Sequence, residues 1–307
     1  MNHDIEIRHL RYFVAVAEEL HFGRAAMRLY IAQPPLSQQI RRLEEMLGHA
    51  LFLRTSREVR LTAAGEELLE RARYTLRKIE ADVAAAQRIG RGEAGALTVG
   101  FIGSGMLTIL PKMLGRYRKQ YPQVDLRLRE LYTAGLVDAL LNGTVDVGIM
   151  RDAGNVEGLH VEVLLTEPFV VVLPRKHPLA EQKTVAVKSL QHEPFVLFAR
   201  SYGGVAWKKT VDVCEAHGFM PRVVQEAPQW LTIMSLVGAG LGVTIAPACV
   251  KRLSVPDTVC RALRPQSQST HLELAYRRNE VRPITKAFSE LARRVFRNES
   301  LAGSRDA

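Results

Sequence analysis

The run from Thr62 to Ile89 contains no proline, and within it Leu69, Ala72, Leu76, Ile79, Val83 and Ala86 recur at steps of 3, 4, 3, 4 and 3. That spacing stacks them in one seam along a single long helix. Thr62 is placed to cap its start, and the glycine-rich stretch from Gly90 to Gly95 ends it as a hinge-like linker. An apolar seam on an otherwise polar helix calls for a partner, so a dimer through Leu69, Ala72, Leu76, Ile79 and Val83 is expected. The plainer alternative is that the seam packs on its own domain. Either way the rod divides the 307 residues into a short front segment and a long back segment. At about 100 to 200 residues per domain, that length implies two or three domains.

The front segment reads as compact and helical. Leu10, Phe13, Val14, Ala17 and Leu20 share one helix face. A second helix follows Gly23, with small Ala25 and Ala26 allowing close approach, and the chain turns through Tyr30, Ile31 and Ala32. Pro34 and Pro35 suit the first turn of a third helix, where the missing N–H groups have no intrahelical partner. Leu36, Ile40, Leu43 and Leu47 mark its buried face, and Gly48 stops it. The segments 51–54 and 59–61, joined by a polar turn, form a short hairpin. This is the pattern of a winged helix-turn-helix.

With Leu36, Ile40 and Leu43 inward, the rotation of about 100° per residue turns Pro34, Gln38 and Arg41 outward, with Ser37 beside them. The amide of Gln38 suits adenine. Arg41, Arg42 and the hairpin residues Arg54, Arg57 and Arg60 suit phosphates or a minor groove. Between Arg24 and Arg60 there are seven arginines against three acids, and the whole chain carries a formal charge of +10 with a pI of about 9.7, so an anionic partner such as DNA is implied. The competing reading of such charges is a merely solvated helix face.

Beyond Gly95 the pattern alternates: strand over 97–101, helix over 107–120, strand over 124–130, helix over 133–142 and strand over 145–150. That order predicts an α/β domain with a mostly parallel sheet. A second set begins with a strand over 168–173 and continues with a strand over 195–198, a helix over 207–217, a helix over 230–237 and a strand over 243–246. A last strand and helix occupy 272–276 and 284–296. The uncharged stretch 227–250 is long enough to span a bilayer, but Pro228, Gly238, Gly240, Gly242 and Pro247 break it into buried pieces.

Catalytic readings are poor. Gly100, Gly103 and Gly105, and separately Gly238, Gly240 and Gly242, miss the spacing of a dinucleotide-binding loop. Gly103-Ser104-Gly105 lacks the flanks of a nucleophile elbow, and His192-Glu193 has no second histidine at zinc-protease spacing. Cys214, Cys249 and Cys260 lie apart, so no disulfide framework, metal site or cofactor is expected. The first residues, Met1 to Arg11, mix charges and lack an apolar core, so the expectation is a cytoplasmic protein rather than an exported or membrane one.

Three segments carry a specific resemblance: Ile7 to Glu18 (IRHLRYFVAVAE), Ala32 to Glu44 (AQPPLSQQIRRLE), and Leu51-Phe52-Leu53-Arg54 followed by Val59-Arg60-Leu61-Thr62-Ala63-Ala64-Gly65. In that order and at that spacing they resemble the LysR-type transcriptional regulators. The Gln33-Pro34-Pro35 variant is similar to members governing aromatic-compound catabolism. The resemblance implies a helix-turn-helix domain over 1–61, a linker helix over 62–91, and an effector domain similar to periplasmic solute-binding proteins. One lobe of that domain comprises 92–163 and 268–302, the other 164–267. It implies that Gln33, Pro34, Pro35, Ser37 and Gln38 approach the operator, an interrupted inverted repeat, and that Arg54 contacts its backbone or minor groove. Many members have arginine where this chain has Gln38, so their half-site is not transferable. A homodimer assembling to a tetramer, RNA polymerase as a further partner, and no enzyme activity are also implied.

The cleft between the lobes is the expected effector site. Ser104 and Thr133 stand at helix starts and match family positions that touch effectors. Phe198, Arg200, Ser201, Gln229 and Trp230 are placed there by the resemblance, and Arg151, just after a strand, is a further candidate. Such groups suit a small anionic ligand, an aromatic or unsaturated carboxylate. The plainer reading makes Ser104 and Thr133 simple helix caps, Trp230 core, and both arginines partners of acids elsewhere.

Overall fold

The computed structural model describes residues 5–55, 58–202, 204–265 and 268–303, so Arg57 lies outside the described residues. The chain forms two compact units, 1–87 and 88–307.

The first unit begins with α1 (Ile7–Glu19), α2 (Phe22–Arg28) and α3 (Gln33–Leu47). Phe13, Val16 and Ala17 of α1 are buried, but Leu20 is exposed. It takes the left-handed cap conformation at φ 45°, which turns it out of the face that Leu10 and Phe13 begin. Pro34 and Pro35 occupy the first turn of α3, its Leu36, Ile40 and Leu43 are fully buried, and Gly48 ends it at φ 72°. Strands β1 (Phe52–Arg54) and β2 (Val59–Leu61) form the hairpin. The Phe52 ring packs on Phe13 at 5.4 Å and edge-on to Phe22 at 5.8 Å, fixing the wing to the helical core.

Helix α4 (Ala63–Gly90) starts where Thr62 Oγ1 accepts from the Gly65 N–H at 3.0 Å and donates to the Ala50 carbonyl at 2.8 Å. Gly65 is required there, because a Cβ would collide with the Leu51 carbonyl. The seam divides along its length. Leu69 and Ala72 pack into the core of their own unit, as the plainer alternative had it, whereas Leu76 and Ile79 are half-buried and Val83 is 51% exposed.

The second unit contains β3 (Ala94–Phe101), α5 (Leu110–Gln120), β4 (Gln123–Glu130), α6 (Thr133–Leu141), β5 (Val147–Arg151) and β6 (Leu159–Pro174). These are followed by β7 (Thr184–Ala186), β8 (Pro194–Phe198), α7 (Gly204–Glu215), β9 (Arg222–Ala227), α8 (Trp230–Gly238) and β10 (Thr244–Pro247). The chain ends with β11 (Thr258–Arg264), β12 (Ser269–Arg277) and α9 (Pro283–Gly303). The main sheet runs β4-β3-β5-β12-β6-β11-β7, with β10 also on β6, while β8 and β9 pair separately.

Pairings β3 with β4 and β3 with β5 are parallel, as a βαβαβ unit requires. The sheet is nevertheless mixed and not mostly parallel, because β12 returns antiparallel to both β5 and β6. Strand β6 is also far longer than 168–173. Its first half alternates apolar and polar side chains and lacks the continuous apolar run of its doubly buried second half. The helix expected over 107–120 begins only at Leu110, after a 3₁₀ turn, Gly103–Leu107.

Strand β6 runs through both halves of this unit. On one side Leu97, Val99, Met113, Tyr117, Leu136, Ile149, Leu274 and Phe288 form one core. On the other, Phe169, Val171, Phe195, Leu197 and Ile245 form a second, with Val170, Val172, Ile233 and Met234 packed on the opposite face of β6. The result is a two-lobed α/β domain. The uncharged stretch 227–250 supplies α8 and β10 to the second lobe, and no described helix is long and apolar enough to cross a membrane.

Candidate nucleic-acid interface and effector cleft

On α3, Gln33, Pro34, Pro35, Gln38 and Arg41 are exposed on the side away from Leu36, Ile40 and Leu43, and Ser37 is half-buried beside them. Arg41 and Arg42 have no acidic partner among the described residues. Three others are answered: Arg24 by Glu19, Arg28 by Glu18 and Glu19, Arg60 by Glu58. Glu18 and Glu19 precede the segment in which positive charge is concentrated in sequence, yet the end of α1 brings them beside α2. Arg73 foremost, with Arg28, holds the Glu18 carboxyl below the usual range and ties α4 to α1.

Arg54 is not a free arm. Its Nη2 lies 2.6 Å from Glu44 Oε2, and the guanidinium sits 4.8 Å from the Phe22 ring centroid. Glu44 Oε1 also accepts from the Leu51 and Phe52 N–H groups, at 2.9 and 3.1 Å. One carboxylate from the third helix therefore closes the base of the wing, a role invisible when Glu44 is counted only as charge.

In the second unit a cavity of about 300 Å³ opens between the two lobes, and Ser104, Thr133, Arg151, Phe198, Gln229 and Trp230 all line it. Arg200 and Ser201 do not. Strand β8 ends at Phe198, and the chain leaves through a 3₁₀ turn, Arg200–Tyr202, that lays the Arg200 guanidinium over the Trp207 ring at 5.2 Å.

Neither hydroxyl caps its helix. Ser104 is buried in the 3₁₀ turn, where Oγ accepts from Arg151 Nε at 3.3 Å. Thr133 is the first residue of α6, after Tyr132 in the cap position, and its Oγ1 donates to the Arg151 carbonyl at 3.2 Å. Arg151 itself is 4% exposed, with Nη2 2.7 Å from Glu167 Oε2 and Nη1 3.2 Å from Thr270 Oγ1. Beside it, Asp152 is held at φ 49°. Its Oδ1 accepts from Lys209 Nζ at 2.6 Å and from the His271 N–H at 2.9 Å, while Thr270 Oγ1 donates to Oδ2.

One buried ion pair, Arg151–Glu167, and one partly buried, Lys209–Asp152, thus stand at the crossing between lobes, each cation answered, as desolvated charges require. Sequence reading missed Asp152, Glu167, Lys209 and Thr270. The only local signal was the charged pair Arg151-Asp152 directly after the apolar strand residues 147–150. The register Thr270↔Glu167 that completes the network exists only once β12 has paired with β6.

The remaining walls are largely apolar. Phe198 stacks on Trp230 at 5.7 Å, and Tyr132 meets Phe198 edge-on at 6.4 Å. Helices α6 and α8 both begin at the cleft, and neither has a side-chain cap hydrogen bond. Their first-turn N–H groups and positive dipole ends therefore converge on the cavity.

A winged helix-turn-helix, a long helix and a two-lobed domain around a ligand-sized cleft are the parts of a helix-turn-helix regulator with a ligand-binding domain. Residues 7–66 match the bacterial regulatory helix-turn-helix proteins of the lysR family, and residues 90–297 match the LysR substrate binding domain. The chain belongs to the LysR family of transcriptional regulators. It is 40% identical over 288 residues to the HTH-type transcriptional regulator AlsR of Bacillus subtilis (strain 168), covering 94% of this chain and 95% of that one. The Hca operon transcriptional activator HcaR of Escherichia coli (strain K12) is 37% identical, covering 92% and 96%. Full-length CbnR in complex with its target DNA is similar in structure, with a TM-score of 0.80 at 28% identity, covering 95% and 100%. These relatives are regulators of transcription and not enzymes.

Proposed function

We propose that this regulator binds an interrupted inverted repeat through the exposed face of α3, and that a small carboxylate with an aromatic or unsaturated body occupies the cleft between its lobes. The carrying observation is the cleft itself: two uncapped helix N-termini for the acid and the Phe198–Trp230 stack for the apolar body. Arg151 is already neutralised by Glu167, so the acid is held by backbone N–H groups rather than by a free cation. The lobes are taken as 92–163 with 268–302, and 164–267. The protomers pair through the part of the α4 seam left uncovered and assemble to a tetramer through the C-terminal lobes, and RNA polymerase is the further partner that family membership implies.

Footprinting on the DNA upstream of its own gene, with and without candidate carboxylates and over a salt series, tests the proposal. A protected inverted repeat whose affinity falls steeply with salt and whose footprint changes with ligand is the expected result. Gln38→Ala is expected to relax preference at one position per half-site by about 1 to 3 kcal/mol, and Arg41→Ala to weaken binding to many sequences alike. Uniform losses in both variants would remove Gln38 as a base reader.

A further inference from the structure

One charge at the effector cleft is left without an answer. Arg151 is paired with Glu167 and Lys209 with Asp152. Glu130, the last residue of β4, lines the same cavity and has no hydrogen-bond or ion-pair partner among the described residues. Its carboxylate lies over Gly103, where a Cβ would stand only 2.6 Å from Oε1. The missing side chain at the head of the 3₁₀ turn is therefore what leaves room for the acid to lie there. With Arg151 and Lys209 against Glu130, Asp152 and Glu167, these groups sum to one negative charge.

The cavity thus offers two unlike groups. The starts of α6 and α8 offer N–H groups and partial positive charge, and Glu130 offers an uncompensated carboxylate. Glu130 is exposed at this cavity, so it loses water only where a bound ligand covers it, and a carboxylate covered without a donor is costly. A simple acid answers the helix starts and leaves Glu130 open to that cost.

We infer that the effector carries, besides its carboxylate, a hydrogen-bond donor that Glu130 accepts, which makes it an apolar-bodied hydroxy acid or amino acid. This rests on the cleft being the effector site. The test is calorimetric titration of the full-length protein with matched pairs of acids: benzoate and 4-hydroxybenzoate, phenylacetate and 4-hydroxyphenylacetate, 3-phenylpropanoate and phenylalanine.

In at least one pair the donor-bearing member should bind the wild type at least about tenfold more tightly, an amount typical of a charge-assisted hydrogen bond. Glu130→Ala should abolish that preference while leaving the parent acid bound as well or better. Gly103→Ala, which displaces the carboxylate without removing it, should erode the preference in the same direction. The inference is overturned if no donor-bearing member binds more tightly than its parent, or if the preference survives in Glu130→Ala. Trp230→Ala separates the two readings: loss of both members of a pair keeps the cleft as the site, and undiminished binding of both moves the site elsewhere.

Discussion

Glu44→Ala should cost far more than an exposed charge substitution, because this carboxylate joins the third helix to the wing. It accepts from the N–H groups of Leu51 and Phe52, whose residues are only 2% and 4% exposed, and it pairs with Arg54. Leaving each buried N–H without an acceptor costs about 1 to 3 kcal/mol. The ion pair is partly solvated and adds about 0 to 1 kcal/mol. The expected loss is therefore about 2 to 7 kcal/mol, and Glu44→Gln, which keeps a carbonyl acceptor, should recover a good part of it. The tryptophans Trp207 and Trp230 both lie in the second unit. In urea unfolding of the full chain, tryptophan fluorescence therefore reports that unit, while far-ultraviolet circular dichroism reports both. Glu44→Ala should move the dichroism transition of the first unit to lower urea and leave the fluorescence transition in place. It should also weaken operator binding, since Arg54 and the wing lose their anchor. A change within about 0.5 kcal/mol, the range of ordinary surface substitutions, would refute the reasoning.

The uncovered part of the α4 seam should carry the dimer. Leu76→Asp with Ile79→Asp removes two apolar groups worth about 1.5 to 3 kcal/mol each when buried, and sedimentation should show dissociation together with loss of operator affinity. Arg151→Met strands Glu167 in the interior and should destabilise the second unit by about 3 to 5 kcal/mol, whereas adding Glu167→Gln should restore much of this in thermal melts. Burial raises the carboxyl of Glu273 above its ordinary value, although the Ala153 N–H donates to it. Because the folded chain then holds this proton more tightly than the unfolded one, the group favours the fold at low pH and its contribution is lost as pH rises through the raised value. Glu273→Gln should therefore stabilise the protein at neutral pH and be nearly silent in mild acid, and melts at the two pH values check the sign.

The sequence by itself determined the elements whose signals are local. Pro34, Pro35 and Gly48 bound α3 by backbone chemistry, Leu36, Ile40 and Leu43 set its buried face, and Thr62 starts α4, all within a few residues of one another. The outward set of Gln38 and Arg41 followed from helical rotation alone. Tertiary structure decided the rest. Leu20 fits the helical period but leaves it in a left-handed cap, and Arg54 is spent on Glu44. The first half of β6 is half-solvated, so its polar alternation hides a strand that β12 stabilises from across the chain. Arg200 and Arg151 look alike in the sequence, each following an apolar strand run, yet one turns outward over Trp207 while the other, the last residue of β5, meets Thr270, 119 residues away, in a buried network. Local propensity cannot distinguish them, because what separates the two is which strands pair and in what register. That is set by packing between segments distant in the sequence.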